Sequence, residues 1–391
     1  SSDDSRYQIM QLKVFLLMLS GFIYQNIATA DEQTASNQKA EGRYSTPVGP
    51  FYDSVFDLAI AVIPTVLYET SPNTRTSATK FNAIYGSNQN WSGKLDTETY
   101  LGKDNQYLVD MSITYTDAKL DIENFMRHFD KTGSLGISQS PVEEIQLASL
   151  NVEAIILTKF LKDYYWGLSL SYAELNNKKN HLGTAFSTAN MRPNEVKQGI
   201  GFALRRNARN SILSPTRGFY VNANVSKIDA ESKSGGIFPL NVQGTEVFTL
   251  NGEDSYRKLA LDFRYYYPFT SETTLALRMK AELNSDGAPK TATELSKVAH
   301  GFTFEVGGRS AIGSDLQLRH WITPEVGLVT SIGAAKALHN SSGKDELHYT
   351  AGFGFRYMLK AADKLSLRLD LQYNDQESDN FLVYFNVGEV F

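Results

Sequence analysis

Few residues in this sequence have the type and spacing needed for catalysis or metal binding. There is no cysteine, which excludes disulfides, thiolate metal ligands and cysteine nucleophiles. The histidines are His128, His181, His300, His320, His339 and His348. None lies in a serine-hydrolase motif, no set of histidines and carboxylates has zinc-ligand spacing, and no glycine-rich phosphate loop follows a strand and opens a helix. The sequence therefore predicts no enzyme activity, no metal and no cofactor.

The overall composition points to strands rather than to a nucleic-acid binder. The chain has 391 residues and a formal net charge of -5, so a strongly basic surface for nucleic acid is excluded. It contains 21 tyrosines and 22 phenylalanines but 11 prolines. Many aromatic residues with few prolines are typical of a chain built from long strands.

The first 30 residues have the pattern of an export signal. Met10 and Lys13 precede an apolar run at 14–23, and Ala28 and Ala30 supply a small-x-small cleavage site. The run is shorter than the roughly 20 residues of a spanning helix. We interpret 1–30 as upstream residues and a signal peptide, 31–51 as a disordered lead-in, and 52–391 as one folded domain.

That domain alternates with a period of two, as strands do. In the segment 363–374, leucines occupy one face and polar residues the other: Leu365, Leu367, Leu369 and Leu371 against Ser366, Arg368, Asp370 and Gln372. Segments 256–268, 272–284 and 347–359 repeat the pattern. A soluble sheet also alternates, but a charged face of both signs and aromatic strand ends favour a membrane barrel, with apolar residues toward lipid and polar residues toward the lumen.

This interpretation assigns a set of charged side chains to the lumen. They are Asp262, Arg264, Arg278, Lys280, Glu282, Arg356, Arg368 and Asp370. We expect them to form a salt-bridged plug or to line a hydrated channel.

Loop lengths and strand number give a second argument for a barrel. Short connections at 160–163, 268–272, 323–324 and 360–363 alternate with long ones at 178–194, 230–252, 285–313 and 338–346, as in outer-membrane barrels. We identify 15 alternating segments, the first near 52–69. Because bacterial single-chain barrels have even counts, we predict an all-β antiparallel barrel of 16 strands, with 12 or 14 as alternatives and 118–142 as the uncertain stretch.

The last segment, 381–391, places Phe381, Phe385 and Phe391 on one face and ends on an aromatic residue. It resembles the C-terminal signal of bacterial outer-membrane proteins. Glu389 interrupts the pattern, and we place it at the membrane interface.

Two motifs resemble the BamA/TamA-type surface-antigen family of outer-membrane barrels. The run 199–204 leads to Pro215, Thr216 and Gly218, which looks like the family's strand–turn–strand segment. A second stretch, 304–319, resembles the family's lid loop and the strand after it. The resemblance implies a lid loop at Gly307, Gly308, Arg309 and Gly313.

The sequence also departs from that family. The family's lid carries an Arg-Gly-aromatic tip that packs inside the barrel against an acidic strand residue. Here 310–314 has no such tip, Arg309 is the nearest candidate, and 329–335 offers no acidic partner. The stretch before residue 52 is also too short for the periplasmic (POTRA) domains that assembly or secretion members carry.

The resemblance implies a gate between the first and last strands. Pro64 falls inside the predicted first strand, and proline cannot donate to a ladder. We therefore assign the gate seam to Pro64, Phe381, Phe385 and Phe391. The expected function is outer-membrane protein assembly, transport or envelope maintenance, with a passive solute pore as the alternative and a barrel-embedded lipase as a third possibility. Expected partners are outer-membrane lipid and envelope proteins or other barrels. The expected location is the bacterial outer membrane.

Overall fold

The computed structural model describes part of the chain. The described residues are 43–53, 55–121, 144–180, 194–233, 252–289, 292–302, 307–339, 346–360, 365–375 and 381–391. The predicted signal peptide and residues 31–42 of the predicted lead-in lie outside these ranges.

Strands account for most of the described chain. The first half contains β1 (Arg43–Ser45), β2 (Val48–Asp53), β3 (Asp57–Val62), β4 (Thr65–Tyr68), β5 (Ser77–Gly86), β6 (Trp91–Leu101), β7 (Tyr107–Asp121), β8 (Glu144–Leu161), β9 (Tyr164–Asn180) and β10 (Asn194–Asn207). The second half contains β11 (Gly218–Lys233), β12 (Gly252–Pro268), β13 (Thr273–Asn284), β14 (Thr293–Glu294), β15 (Gly307–Gly308), β16 (Ser310–Trp321), β17 (Val326–Leu338), β18 (Leu347–Lys360), β19 (Leu365–Asn374) and β20 (Phe381–Val387).

These strands close into an antiparallel barrel of 16 strands, as predicted. β1 pairs with β4 and β2 pairs with β3 in one continuous register, so β1–β2 is the first barrel strand and β3–β4 the second. Each later strand pairs with its neighbour, and β20 meets β2 to close the ring. β14 and β15 form a separate two-stranded sheet between β13 and β16.

The strand missing from the sequence-based count is at the start of the barrel. Of the stretch 118–142, which we considered uncertain, residues 122–142 lie outside the described ranges. Residues 43–51, which we expected to be a disordered lead-in, form strands, and the predicted segment 52–69 spans the end of one barrel strand and the whole of the next. Pro47, Gly49 and Pro50 have poor strand propensity, so local sequence disfavours this strand. Pairing with β3 and β4 decides it instead.

The connections alternate along the barrel as predicted. The described connections at 162–163, 269–272 and 322–325 are short and lie at what we call the short-turn end. The connection between β13 and β16 (285–309) is long and lies at the opposite, long-loop end.

The two faces of the wall are inverted relative to a soluble barrel. On β19, Leu369 and Leu371 are 38% and 44% exposed, whereas Arg368 and Asp370 are 6% and 2% exposed. The predicted lumen charges therefore point into the barrel and the apolar residues point outward. Aromatic residues such as Tyr267 and Phe269 are exposed at the short-turn end of this apolar surface.

No helix among the described residues is long and apolar enough to cross a membrane.

Candidate functional site: the barrel seam and the lumen

The weakest ladder in the barrel is the seam between its first and last strands. β2 and β20 share one residue pair, Tyr52 with Val383. By contrast, β19 and β20 share seven pairs, from Leu367–Val387 to Tyr373–Phe381. Among the described residues, the seam is therefore the shortest ladder between neighbouring barrel strands.

An apolar overlap supplements this single pair. Phe385 and Val387 lie on the outward face of β20, as Leu369 does on β19, yet they are buried. They pack in one cluster with residues on the inward face of β2–β3 and with the start of β19: Phe51, Ala59, Ala61, Ile63, Leu365 and Leu367. The short-turn halves of β19 and β20 therefore lie inside the first two barrel strands.

A polar contact holds the overlap from the lumen side. Lys80 of β5 donates a hydrogen bond from Nζ to Oδ1 of Asn386 on β20, at 3.2 Å. The contact links the third barrel strand to the last one and so passes beneath β2 and β3. Packing is also close, because a Cβ on Gly49 would overlap the ring of Phe385.

Only some of the predicted seam residues lie on the two strands that meet at the seam. Pro64 does not lie in the strand that meets β20: it sits between β3 and β4, in the second barrel strand. Phe381 is the first residue of β20 and pairs with Tyr373, and Phe385 is buried in the overlap. The proline at the seam is Pro50, on the same edge of β2 as Tyr52 because backbone groups alternate along a strand.

The predicted lumen charges are brought together in three ion-paired groups. Asp262 contacts Arg264 at 2.6 Å and Arg278 at 3.2 Å. Glu282 contacts Lys258 at 2.8 Å and Lys280 at 3.8 Å.

In the third group, Asp370 contacts Arg356 at 2.6 Å and Arg368 at 3.1 Å. Arg356 also contacts Glu389 at 2.9 Å. The predicted lumen charges are therefore ion-paired with neighbours of opposite sign.

The connection between β13 and β16 enters the lumen. Its short 3-10 helix, Leu295–Lys297, and the residues after it pack against the inner faces of β16 and β17, in a cluster of Leu295, Val298, Ala299, Phe302, Ala311, Ala335 and Ala337. Gly313 on β16 makes room, since a Cβ there would lie 2.8 Å from the backbone oxygen of Val298. We call residues 295–302 the lid segment.

The tip of the lid segment is His300-Gly301-Phe302. The backbone N–H of His300 donates to Oδ1 of Asp315 at 2.9 Å, and its Nε2 lies 3.7 Å from Oδ2 of Asp370. Thr350 Oγ1 and Asn374 Nδ2 donate to the carbonyls of His300 and Gly301. Gly301 has a φ of +85°, a conformation that favours glycine.

The lid tip also contacts the seam. The ring of His300 lies 4.8 Å from that of Tyr384 on β20. Tyr384 in turn meets Phe51 of β2 edge-on, with ring centroids 5.8 Å apart. One chain of contacts therefore connects a long loop to both sides of the seam.

The residues predicted for the lid lie at its base instead. Gly307 and Gly308 form β15 and pair with β14. Arg309 contacts Asp286 at 2.5 Å, and the Asp286 side chain is fully exposed. Gly313 lies within β16.

The end of the described chain also differs from the prediction. β20 ends at Val387, and residues 388–391 turn into the lumen at Gly388, whose φ is +78°. Glu389 is therefore buried against Arg356 instead of lying at a membrane interface. Phe391 is 3% exposed and does not continue the outward face of β20.

Comparisons with known proteins place this architecture in a family. The model of the Omp85 superfamily domain matches residues 79–313, more than half of the chain. The chain belongs to the Omp85 superfamily. No curated protein matches the sequence.

Several solved structures are similar to this Omp85 barrel at low sequence identity. BamA from Haemophilus ducreyi lacking POTRA domains 1–3 is 11% identical, with a TM-score of 0.47 over 90% of this chain and 70% of that one. CdiB from Acinetobacter baumannii is 8% identical, with a TM-score of 0.49 over 90% and 60%. The alcaligin outer-membrane receptor FauA from Bordetella pertussis is 10% identical, with a TM-score of 0.34 over 90% and 57%.

The structure also shows which residues of this Omp85 barrel the sequence analysis missed. The tip His300-Gly301-Phe302 keeps the glycine and the aromatic residue of the expected Arg-Gly-aromatic tip, with histidine in the place of arginine. The glycine and the aromatic residue are present in the sequence, but without the arginine that identifies the family's tip. Its acidic neighbours, Asp315 and Asp370, lie outside the stretch 329–335 in which we looked for them. Among the described residues, no three His, Asp or Glu side chains are grouped so that they could hold a metal ion.

Proposed function

We propose that this Omp85 barrel is a laterally gated barrel of the bacterial outer membrane that acts in outer-membrane protein assembly, in transport across that membrane or in envelope maintenance. In this proposal the short-turn end faces the periplasm, and the seam between β2 and β20 opens toward lipid. The observation that carries the proposal is the single residue pair between the two strands. A seam held by so short a ladder can open more easily than the rest of the wall, and an opened strand edge can accept another strand.

The contents of the lumen support a gate more than a passive solute pore. The lid segment, residues 388–391 and the ion-paired groups all lie on the inner side of the wall, where a solute would have to pass. Breaking a buried ion pair by removing one partner costs about 3–5 kcal/mol, so the groups around Asp370 resist rearrangement. An apolar overlap such as that of Phe385 with Phe51 can separate without leaving charges unpaired.

The decisive experiment locks the seam reversibly. Because the chain has no cysteine, Tyr52→Cys with Val383→Cys introduces one disulfide between directly paired positions. We expect oxidation to abolish complementation of a deletion strain, measured as envelope integrity and outer-membrane protein content, and a membrane-permeant reductant to restore it. The matched control is Leu259→Cys with Leu283→Cys, a directly paired position within the continuous wall.

Unchanged activity of the oxidised seam variant would contradict the gate. Conductance in planar bilayers tests the pore alternative with the same samples. A steady, large open state that the seam disulfide does not alter would favour a pore, whereas brief openings that the disulfide suppresses would favour the gate.

A further inference from the structure

The segment 388–391 is attached to the barrel in a different way from the strand that precedes it. Its backbone makes two hydrogen bonds at its start, from Gly388 N to Ser366 O at 2.8 Å and from Glu389 N to Leu213 O at 2.7 Å. Beyond these, side chains of the barrel hold it. The bond of Gly388 is the last rung of the β19–β20 ladder, so from Glu389 onward the segment occupies a site and does not extend the sheet.

One half of that site recognises a carboxylate. Glu389 is 3% exposed, and its Oε2 lies 2.9 Å from Nε of Arg356 and 3.7 Å from Nε of Arg319. Both arginine side chains are at least nine-tenths buried. Two guanidinium groups from different strands, β16 and β18, thus converge on one acidic side chain.

The other half recognises an aromatic ring and the backbone beside it. Phe391 packs with Tyr266 and Ala276. The guanidinium carbons of Arg319 and Arg278 lie 5.5 and 5.9 Å from the centre of its ring, within the range of cation–π attraction. Arg319 Nη2 also donates to the backbone oxygen of Phe391 at 2.9 Å.

The vacant site would be unfavourable. Without residues 388–391, Arg356 would still be ion-paired with Asp370. Arg319 would have only hydrogen bonds to Gln317 and to the carbonyl of Pro215, which are both uncharged. A buried guanidinium without a counter-charge is strongly destabilising. The segment 388–391 should therefore leave by exchange with a ligand of the same chemistry.

We propose that this pocket, lined by Leu213, Tyr266, Arg278, Arg319 and Arg356, is a peptide-binding site. Its ligands are peptide segments that carry a carboxylate side chain and, two residues later, an aromatic side chain. Residues 388–391 are its intramolecular occupant. Binding at this site does not require the seam to open, so the proposal stands independently of the lateral gate.

The test measures binding of a fluorescent, N-acetylated and C-amidated peptide that copies residues 387–391, by anisotropy with the purified full chain in detergent. The segment 388–391 is a tethered competitor of the peptide and acts at a high effective concentration. Weakening its binding should therefore expose the pocket to the peptide. We expect Glu389→Gln with Phe391→Ala to bind the peptide at least tenfold more tightly than the original chain does. Peptides with Gln for Glu or Ala for Phe should bind that variant at least tenfold more weakly. The matched control, Glu272→Gln with Phe269→Ala, changes an exposed pair at the same end of the barrel and should bind like the original chain.

A second measurement decides the question even if the double variant does not fold. Val390 packs in the pocket, so Val390→Cys gives the cysteine-free chain one thiol that the segment protects. Saturating unlabelled peptide should raise the maleimide labelling rate of this thiol at least fivefold. Equal affinity for the Glu and Gln peptides, or a labelling rate that the peptide leaves unchanged, would overturn the proposal.

Discussion

Pro50 occupies the position on β2 from which a backbone N–H would have to bond to Phe385 of β20. Tyr52 pairs with Val383, and two residues further along each strand the next partners in that register are Pro50 and Phe385. Proline has no N–H, so the ladder stops there. The overlap of the last strand with the first begins at this point.

Pro50→Ala should let the seam ladder extend by one pair. A net contribution of about 0.5–1.5 kcal/mol per backbone hydrogen bond predicts roughly three- to tenfold slower amide exchange in 383–387, measured by hydrogen exchange and mass spectrometry. Pro47→Ala is the matched control, because the carbonyl of Pro47 accepts from Ile63 and so faces β3–β4. Equal protection in the two variants would show that Pro50 does not limit the seam.

Lys80→Met should loosen the seam from the lumen side. The substitution keeps the length of the side chain and removes the bond to Asn386, and a hydrogen bond that involves a charged group contributes about 1.5–3 kcal/mol. We expect tenfold or more faster amide exchange in 383–387 and more frequent openings in planar bilayers. Lys94→Met removes an ion pair with Asp96 on the same strand, β6. It should change neither the amide exchange of 383–387 nor the frequency of openings. The idea fails if the two variants loosen the seam equally.

Gly313→Ala should displace the lid segment. The added methyl would lie 2.8 Å from the oxygen and 2.9 Å from the carbonyl carbon of Val298, closer than real Cβ contacts, so either the lid or the wall must move. Because the wall is held by ladders on both sides, we expect the lid to retreat and mean conductance to rise severalfold. Gly93→Ala, where the nearest atom would be a ring carbon of Phe81 at 3.4 Å, should conduct like the original chain. Identical conductance of the two variants would contradict the assignment of 295–302 as the lid.

Acid should release residues 388–391. Burial raises the pKa of Glu389, but Arg356 and Arg319 outweigh burial and hold that pKa below its ordinary value. Since the folded-state pKa is depressed, this stabilisation is complete above the unfolded pKa of about 4.3 and is lost as the pH falls through the folded-state pKa. The midpoint temperature of heat-modifiability on gels should therefore decrease as the pH is lowered from 7 to 3.

Acid changes the charge of the whole protein, so the original chain is compared with a variant that lacks the Glu389 carboxylate. Glu389→Gln should begin with a lower midpoint at pH 7 and lose less of it on acidification than the original chain. Equal losses in the two proteins would mean that Glu389 contributes nothing to the pH dependence.

The fold class of this protein follows from local sequence patterns alone. Side-chain direction along a strand depends on position alone, with a period of two, so the leucines and charges of 363–374 sort onto opposite faces whatever the strand pairs with. The same local rule assigned the eight charged residues to the face opposite the leucines. Loop lengths, also a local property, fixed the alternation of the two ends.

Where the barrel closes, and which segments enter its lumen, depends on contacts between residues that are far apart in the sequence. Whether Pro64 or Pro50 lies at the seam depends on which strand meets β20, a contact between residues more than 300 positions apart. The inward turn of Phe391 depends on its contacts with Arg319 and on the ion pair between Arg356 and Glu389. The role of His300 depends in the same way on Asp370. No local pattern encodes these long-range contacts. The closure of the ring brings such residues together, and the periodicity of a single strand does not.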